Sequence, residues 1–135
     1  MNDVFDPRNY FRMIERADYD SLKTMFADNA IFKFTAVMLN GRKEIIDGYR
    51  GFLGSIEGYR VDILHIWRTG ENVIIVESVA SGKNIDVPSG FKVPMVSIFE
   101  LENGKIKEQR DYFDAGPMMP KAQQADAPGP LTRPR

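Results

Sequence analysis

Two short stretches of this chain carry side chains able to move a proton. One surrounds His65, the single histidine, whose imidazole titrates closest to neutrality of all side chains. Val61, Ile63, His65 and Trp67 recur at a period of two and so share one strand face. The imidazole is then either a structural residue of an apolar strand or an acid/base on a pocket wall. The other stretch is Arg110-Asp111-Tyr112-Phe113-Asp114. Its two acids stand three apart, which in a regular strand points them to opposite faces. One of them can face a cavity; in the alternative, Arg110 and Asp114 pair on the surface and Asp111 ends the strand.

Other chemistries lack their parts. There is no G-x-S-x-G elbow, phosphate loop or G-x-G-x-x-G turn, which sets aside serine hydrolases, nucleotide hydrolases and dinucleotide enzymes. With no cysteine, thiolate ligands and a thiol nucleophile are excluded. One histidine and scattered carboxylates do not make a metal site. Neither a metal nor an organic cofactor is expected.

The elements that must position these residues can be read along the chain. Asp6-Pro7 is a helix start, with a capping carboxylate and a proline where no hydrogen bond is lost. The helix should run to about Ala17, with Tyr10, Phe11 and Ile14 on its inner face. A short second helix is expected from about Asp20, burying Leu22, Met25 and Phe26, with Asp28-Asn29 breaking it. Ile31 to Phe34 has strand composition. Asn40-Gly41 opens a third helix whose Ile45, Ile46, Tyr49, Phe52 and Leu53 recur at helical steps. Two strands, Tyr59–Trp67 and Val73–Ala80, flank a polar hairpin loop. A bend is expected near Asp86 to Gly90. The last hairpin joins Lys92–Leu101 to Lys105–Phe113 through Asn103-Gly104, the pair that best tolerates a type I′ turn. Helices first and an antiparallel meander after them make an α+β architecture, in which a curved sheet cannot close flush on three short helices and leaves a cavity.

At 135 residues the chain is sized for one core. Its 18 Lys and Arg against 19 Asp and Glu give no field to hold a phosphate backbone, so nucleic acid is not an expected partner. Lys105, Lys107 and Arg110 read as a solvated strand edge. No apolar run is long enough for a membrane span and no secretory signal is present. A cytoplasmic protein is expected. Strands such as Val73–Val76 and Val93–Phe99 carry apolar residues on both parities, so the outer sheet face needs a cover and a homodimer is expected.

Three segments carry a resemblance to the SnoaL-like branch of the nuclear transport factor 2 fold superfamily, which includes ketosteroid isomerase, limonene epoxide hydrolase and polyketide cyclases. They are Met25-Phe26-Ala27-Asp28-Asn29-Ala30, the helix start Gly41-Arg42-Lys43-Glu44, and Gly104-Lys105-Ile106 through Arg110-Asp111-Tyr112-Phe113-Asp114. The resemblance implies a cone: a curved antiparallel sheet wrapped on three N-terminal helices, a cystatin-like roll with a central apolar pocket. By likeness to limonene epoxide hydrolase, Asp111 takes the place of an acid acting on substrate deep in that pocket. Ser78 and Ala80 stand where that family has an arginine and a second aspartate, and Phe32 and Phe34 where it holds water with tyrosine and asparagine. By likeness to ketosteroid isomerase, Tyr10 takes the place of the oxyanion tyrosine, while the general base becomes Phe34 and the second acid Ser97.

The resemblance therefore implies an apolar pocket with Asp111 as its carboxylate and Tyr10 or His65 assisting. Its walls would include Phe32, Phe34, Val76, Ser78 and Ala80 and, on neighbouring strands, Met95, Ser97 and Phe113, with Trp67 joining from the His65 face. A lone acid/base among aromatic rings suits isomerisation, cyclisation or dehydration next to a carbonyl on a hydrophobic small molecule. Epoxide opening and ligand binding without turnover are the alternatives.

The SnoaL-like domain is expected over residues 1–120. From 121 to 135 the chain turns to Ala, Gln and Pro, too little apolar surface to offset ordering, and reads as a flexible tail. Deleting Ala122–Arg135 should leave the thermal midpoint nearly unchanged; a drop of many degrees in a calorimetric scan would show that the tail docks.

Overall fold

The computed structural model describes residues 5–85 and 87–118. Helix α1 spans Pro7–Glu15, capped by Asp6, whose Oδ1 accepts from Arg8 N at 2.9 Å. Helix α2 is a single turn and a half, Tyr19–Lys23, capped by Asp18, which accepts from Ser21 N at 3.2 Å. The sequence reading carries this helix on to Phe26; instead Phe26 begins strand β1, Phe26–Phe34. Asp28 and Asn29 do not end a helix but belong to a bulged part of β1, where the ladder register jumps between Phe26 and Ile31. A four-residue strand β2, Val37–Asn40, was hidden by its length. Helix α3 runs Arg42–Gly54 from Gly41, which sits at φ 90°. Glu44 reaches back to accept from Asn40 N at 2.8 Å, the carboxylate half of a capping arrangement.

Four long strands complete the chain: β3 Ile56–Thr69, β4 Val73–Asn84, β5 Val87–Glu102 and β6 Lys105–Phe113. The β5–β6 turn has Asn103 at φ 54° and Gly104 at φ 77°, both in the left-handed region that a type I′ turn requires. The bend expected over Asp86 to Gly90 lies earlier, because Asn84 already pairs with Val87. The proposed domain boundary and tail lie outside the described residues. No helix among the described residues is long and apolar enough to cross a membrane.

The sheet order is β2-β1-β6-β5-β4-β3. Every pairing is antiparallel except β1 with β6, which is parallel. The result is an α+β fold with a curved, unclosed mixed sheet and three helices. Its parallel seam makes β6 an interior strand. Lys105, Lys107 and Arg110 are thus not at a sheet edge: Lys105 Nζ donates to Thr24 O at 2.7 Å, and Arg110 lies between Glu100 and Glu108. Asp114 does not pair with Arg110; its Oδ1 accepts from Gly116 N at 2.9 Å.

One face of the sheet packs on the helices. The inward rows run Ile74–Phe99–Gln109–Phe32 and Val76–Ser97–Asp111–Phe34, with Ala80 and Val93 paired further along. Of the two edge strands, β2 and β3, the long one, β3, is held by α1: Arg12 Nη2 donates to Val61 O at 2.7 Å and Val61 N donates to Glu15 Oε2 at 2.8 Å. An exposed ladder is thereby closed by side chains. On the outer face Ile75, Val79, Val96 and Ile98 are only partly covered, and Trp67 and Tyr112 are exposed.

Phe99 is the centre of the helix-to-sheet contact, fully buried with Phe5, Tyr10 and Phe11 rings at 5.0, 5.4 and 6.2 Å. Phe99→Ala should cost about 3–5 kcal/mol. In urea this appears as a lower midpoint at an unchanged slope; a loss under 1 kcal/mol, roughly a surface substitution, would show that the packing is not the anchor.

Candidate active site

Beneath the helices lies a cavity of about 610 Å³, its mouth included. Its wall is aromatic: Phe11 from α1, Phe32 and Phe34 from β1, Tyr49 and Phe52 from α3, Tyr59 from β3 and Phe113 from β6. Ala80, Val93 and Met95 floor it from the long strands. Asp111 is the one carboxylate in this wall.

Asp111 is buried, 8% exposed, and joins no ion pair among the described residues. Burial pushes its carboxyl up to about 6, against the pull of Ser97 and Gln109, which favour the charged form. Ser97 faces Asp111 across the β5–β6 ladder, but its Oγ makes no hydrogen bond of full geometry, so its influence falls short of a bond. Gln109 Nε2 donates to Asp111 Oδ1 at 3.1 Å.

That bond is the last link of a buried chain. Tyr10 O–H donates to Gln109 Oε1 at 2.6 Å, and the Tyr10 and Tyr49 hydroxyls meet at 2.9 Å. A phenol has one proton. Tyr10 gives its own to Gln109, so the proton between the phenols belongs to Tyr49. All three bonds therefore point the same way, from Tyr49 through Tyr10 and Gln109 to Asp111. Tyr10 and Gln109 are wholly buried, and the hydroxyls of Tyr10 and Tyr49 are held protonated by that burial.

Of the residues singled out from the sequence, the structure gathers Asp111, Phe32, Phe34, Ala80, Met95 and Phe113 at the cavity. Tyr10 stands one layer behind it, its hydroxyl committed to Gln109 and Tyr49. Val76, Ser78 and Ser97 are buried on the same sheet face without lining the cavity, and the Ser78 and Ser97 hydroxyls lack partners of full geometry.

His65 and Trp67 are not brought to the site. Ile63 pairs with Ser78 and His65 with Glu77, so Leu64 is an extra residue, a bulge. A bulge reverses strand parity. Val61 and Ile63 stay inward, while His65 and Trp67 turn outward, where His65 Nδ1 meets Glu77 Oε1 at 2.9 Å and its ring stacks on Trp67 at 5.2 Å.

Sequence reasoning missed Tyr49, Tyr59 and Gln109 as site residues. Gln109 carried a signal: it shares parity with Asp111 on β6, and an amide at an inward position needs partners. Tyr49 was legible only as an apolar position of α3.

The architecture defines a class, a helix-capped cone of sheet around an aromatic-walled cavity. Residues 8–109 match the SnoaL-like domain family, and the chain belongs to that family. Comparison with curated proteins gives no significant match. Among solved structures, a protein of ketosteroid isomerase-like fold from Catenulispora acidiphila, in complex with trimethylamine, is 22% identical over 88% of this chain and 90% of its own, with a TM-score of 0.75. A Shewanella denitrificans protein provisionally named a SnoaL-like polyketide cyclase is 16% identical over 87% and 91%, with a TM-score of 0.72. An LEH-like epoxide hydrolase of M. tuberculosis is 19% identical over 81% and 80%, with a TM-score of 0.68. At these identities the likeness is one of fold.

A carboxyl that titrates at about 6 folded and about 4 unfolded binds more protons in the folded state between those values. Its ionisation lowers stability as pH rises through that window. Asp111→Asn should therefore be more stable than wild type at neutral pH, by up to roughly 3 kcal/mol, with the gap closing on acidification to about pH 4. Urea denaturation at the two pH values checks this, and a less stable variant at neutral pH would contradict it.

Proposed function

We propose that this protein is a cofactor-independent enzyme using Asp111 to move a proton on a hydrophobic small molecule next to a carbonyl, as in isomerisation, cyclisation or dehydration. The observation that carries the reading is a single buried carboxylate, with no cation paired to it among the described residues, in the wall of an aromatic cavity. A group titrating at about 6 is largely ionised at neutral pH yet basic enough to hold a proton in passing. Aromatic walls exclude water and take up the apolar part of the substrate. The provisional polyketide cyclase name of one fold relative and the epoxide hydrolase activity of another are consistent with small-molecule chemistry in such a cavity.

The epoxide hydrolase alternative has less support. Opening an epoxide by water requires groups to hold and deprotonate that water, and the cavity wall carries Phe32 and Phe34 with the phenols of Tyr49 and Tyr59 as its other polar side chains among the described residues, neither of them a base. Asp111 alone supplies the acid.

Native mass spectrometry of the protein as purified should identify the ligand. On that compound, Asp111→Asn should bind within a few-fold of wild type and lose turnover by about two or more orders of magnitude. With Asp111 as base, kcat/KM of the wild type should rise with pH through about 6 and then level off. Binding with no turnover in either protein, or equal turnover in both, would replace this reading with that of a ligand-binding protein.

A further inference from the structure

The buried hydrogen-bond chain has both of its ends in the same cavity. Tyr49 and Asp111 line the wall, while the links between them, Tyr10 and Gln109, are fully buried. Four elements contribute to this surrounding: Tyr10 comes from α1, Tyr49 from α3, Tyr59 from β3 and Ser97 from β5, around Gln109 and Asp111 on β6. The charged or titratable groups facing Asp111 are the three phenols, and no Lys, Arg or His pairs with it among the described residues.

An ionised Asp111 leaves the chain only one direction. A carboxylate only accepts, so Gln109 must present its NH2 to it and its carbonyl to Tyr10. Tyr10 then donates to Gln109, and Tyr49 donates to Tyr10. In this state the Tyr49 proton is spent inside the wall, and its oxygen offers only lone pairs to the cavity.

A proton on Asp111 removes the constraint. The carboxylic acid gains a donor while its other oxygen still accepts, and when the O–H is turned to Gln109 the amide must meet it with its carbonyl. Rotating the Gln109 amide by half a turn pairs Asp111, Gln109 and Tyr10 again. Asp111 O–H donates to Gln109 Oε1, Gln109 Nε2 donates to Tyr10, and Tyr10 O–H donates to Tyr49. The Tyr49 hydroxyl is then left with a proton and no partner in the wall. No proton passes along the chain: one arrives at Asp111 from outside, and the hydroxyls turn.

We infer that Tyr49 and Asp111 are the two ends of one reversible hydrogen-bond chain, and that protonation of Asp111 turns Tyr49 from an acceptor into a donor toward the occupant of the cavity. The substrate class this fits is a carbonyl compound with an acidic adjacent C–H. Asp111 takes the C–H proton, the C–H electron pair becomes the enolate, and the negative oxygen appears when Tyr49 is freed to donate to it. Such a donor is stronger in the transition state than in the ground state, which is where stabilisation raises the rate. Tyr10 and Gln109 are positioning residues in this arrangement. The role of Tyr49 toward substrate rests on the acid/base reading above; the reversal itself does not.

The test needs no substrate. Tyrosines labelled with 13C at Cζ, assigned through single Tyr→Phe variants, report whether each phenol donates or accepts. They should be followed by NMR across the Asp111 transition at about 6, alongside the 13C-labelled Asp111 carboxyl. Tyr59 is the internal control, because it feels the Asp111 charge but is not in the chain. The Tyr10 and Tyr49 signals should move with the Asp111 midpoint and by several times the change at Tyr59. In Gln109→Met, Asp111 should still titrate while Tyr49 falls to the Tyr59 response. A Tyr49 change no larger than that of Tyr59 in wild type, or one undiminished in Gln109→Met, would overturn the inference. If that variant does not fold, the wild-type comparison decides alone. A reversing chain in a protein without turnover would fail only the functional reading, and an inert Tyr49 would leave the Asp111 assignment standing.

Discussion

A primary amide sealed from water must spend its donor and its acceptor inside the protein, because each one left unmet costs on the order of 1–3 kcal/mol. Gln109 is such an amide, on the interior strand of the sheet. Its carbonyl fixes Tyr10 and thereby the rotation of α1; its NH2 group reaches Asp111. Tyr10 in turn holds Tyr49 and so the inner face of α3. Two helices and the reactive carboxylate are located by one side chain. The aromatic packing around Phe99 holds the layers together, but rings tolerate small rotations better than hydrogen bonds do. The amide therefore specifies what the rings stabilise.

The price of the site falls on Asp111. Its ionised form sits among rings with no cation paired to it among the described residues, so the protein is least favoured in the protonation state in which it would act as base. A lysine or arginine nearby would relieve the strain on stability and pull the carboxyl back toward its ordinary value, removing its basicity near neutrality. Against that cost stands a core of buried aliphatic and aromatic side chains, and such an opposition of function to stability is general in proteins.

Much of this was legible in the sequence. Asp6-Pro7, the helical spacing of α3, the β3–β4 hairpin and the Asn103-Gly104 turn are local signals, each set by backbone sterics or capping, and each appears where its residues place it. The resemblance then pointed to Asp111 and to five of the other residues that line the cavity. What escaped was non-local. The Leu64 bulge is one residue of extra backbone, invisible to a period-two pattern that continues through His65 and Trp67. The pairing of β1 with β6 joins segments from opposite ends of the domain, and β2 is too short to show a period at all. Tyr49 and Gln109 have ordinary identities for a helix face and a strand. Their meaning comes from each other, through contacts that no spacing within one element encodes.

The parallel seam between β1 and β6 also orders the assembly of the protein in time. The meander from β3 to β6 can form from neighbouring segments, but β1 and β2 have no place in the sheet until β6 exists, since Ile31 must find Glu108. Contacts of such wide separation come late and slowly. During synthesis the aromatic edge of β1 waits unpaired while nearly all of the domain is made, a state in which Phe32 and Phe34 are open to other chains. The strand that ends this exposure is the one that carries Gln109 and Asp111. A chain that stops short of β6 therefore lacks both the strand that covers β1 and the carboxylate of the site.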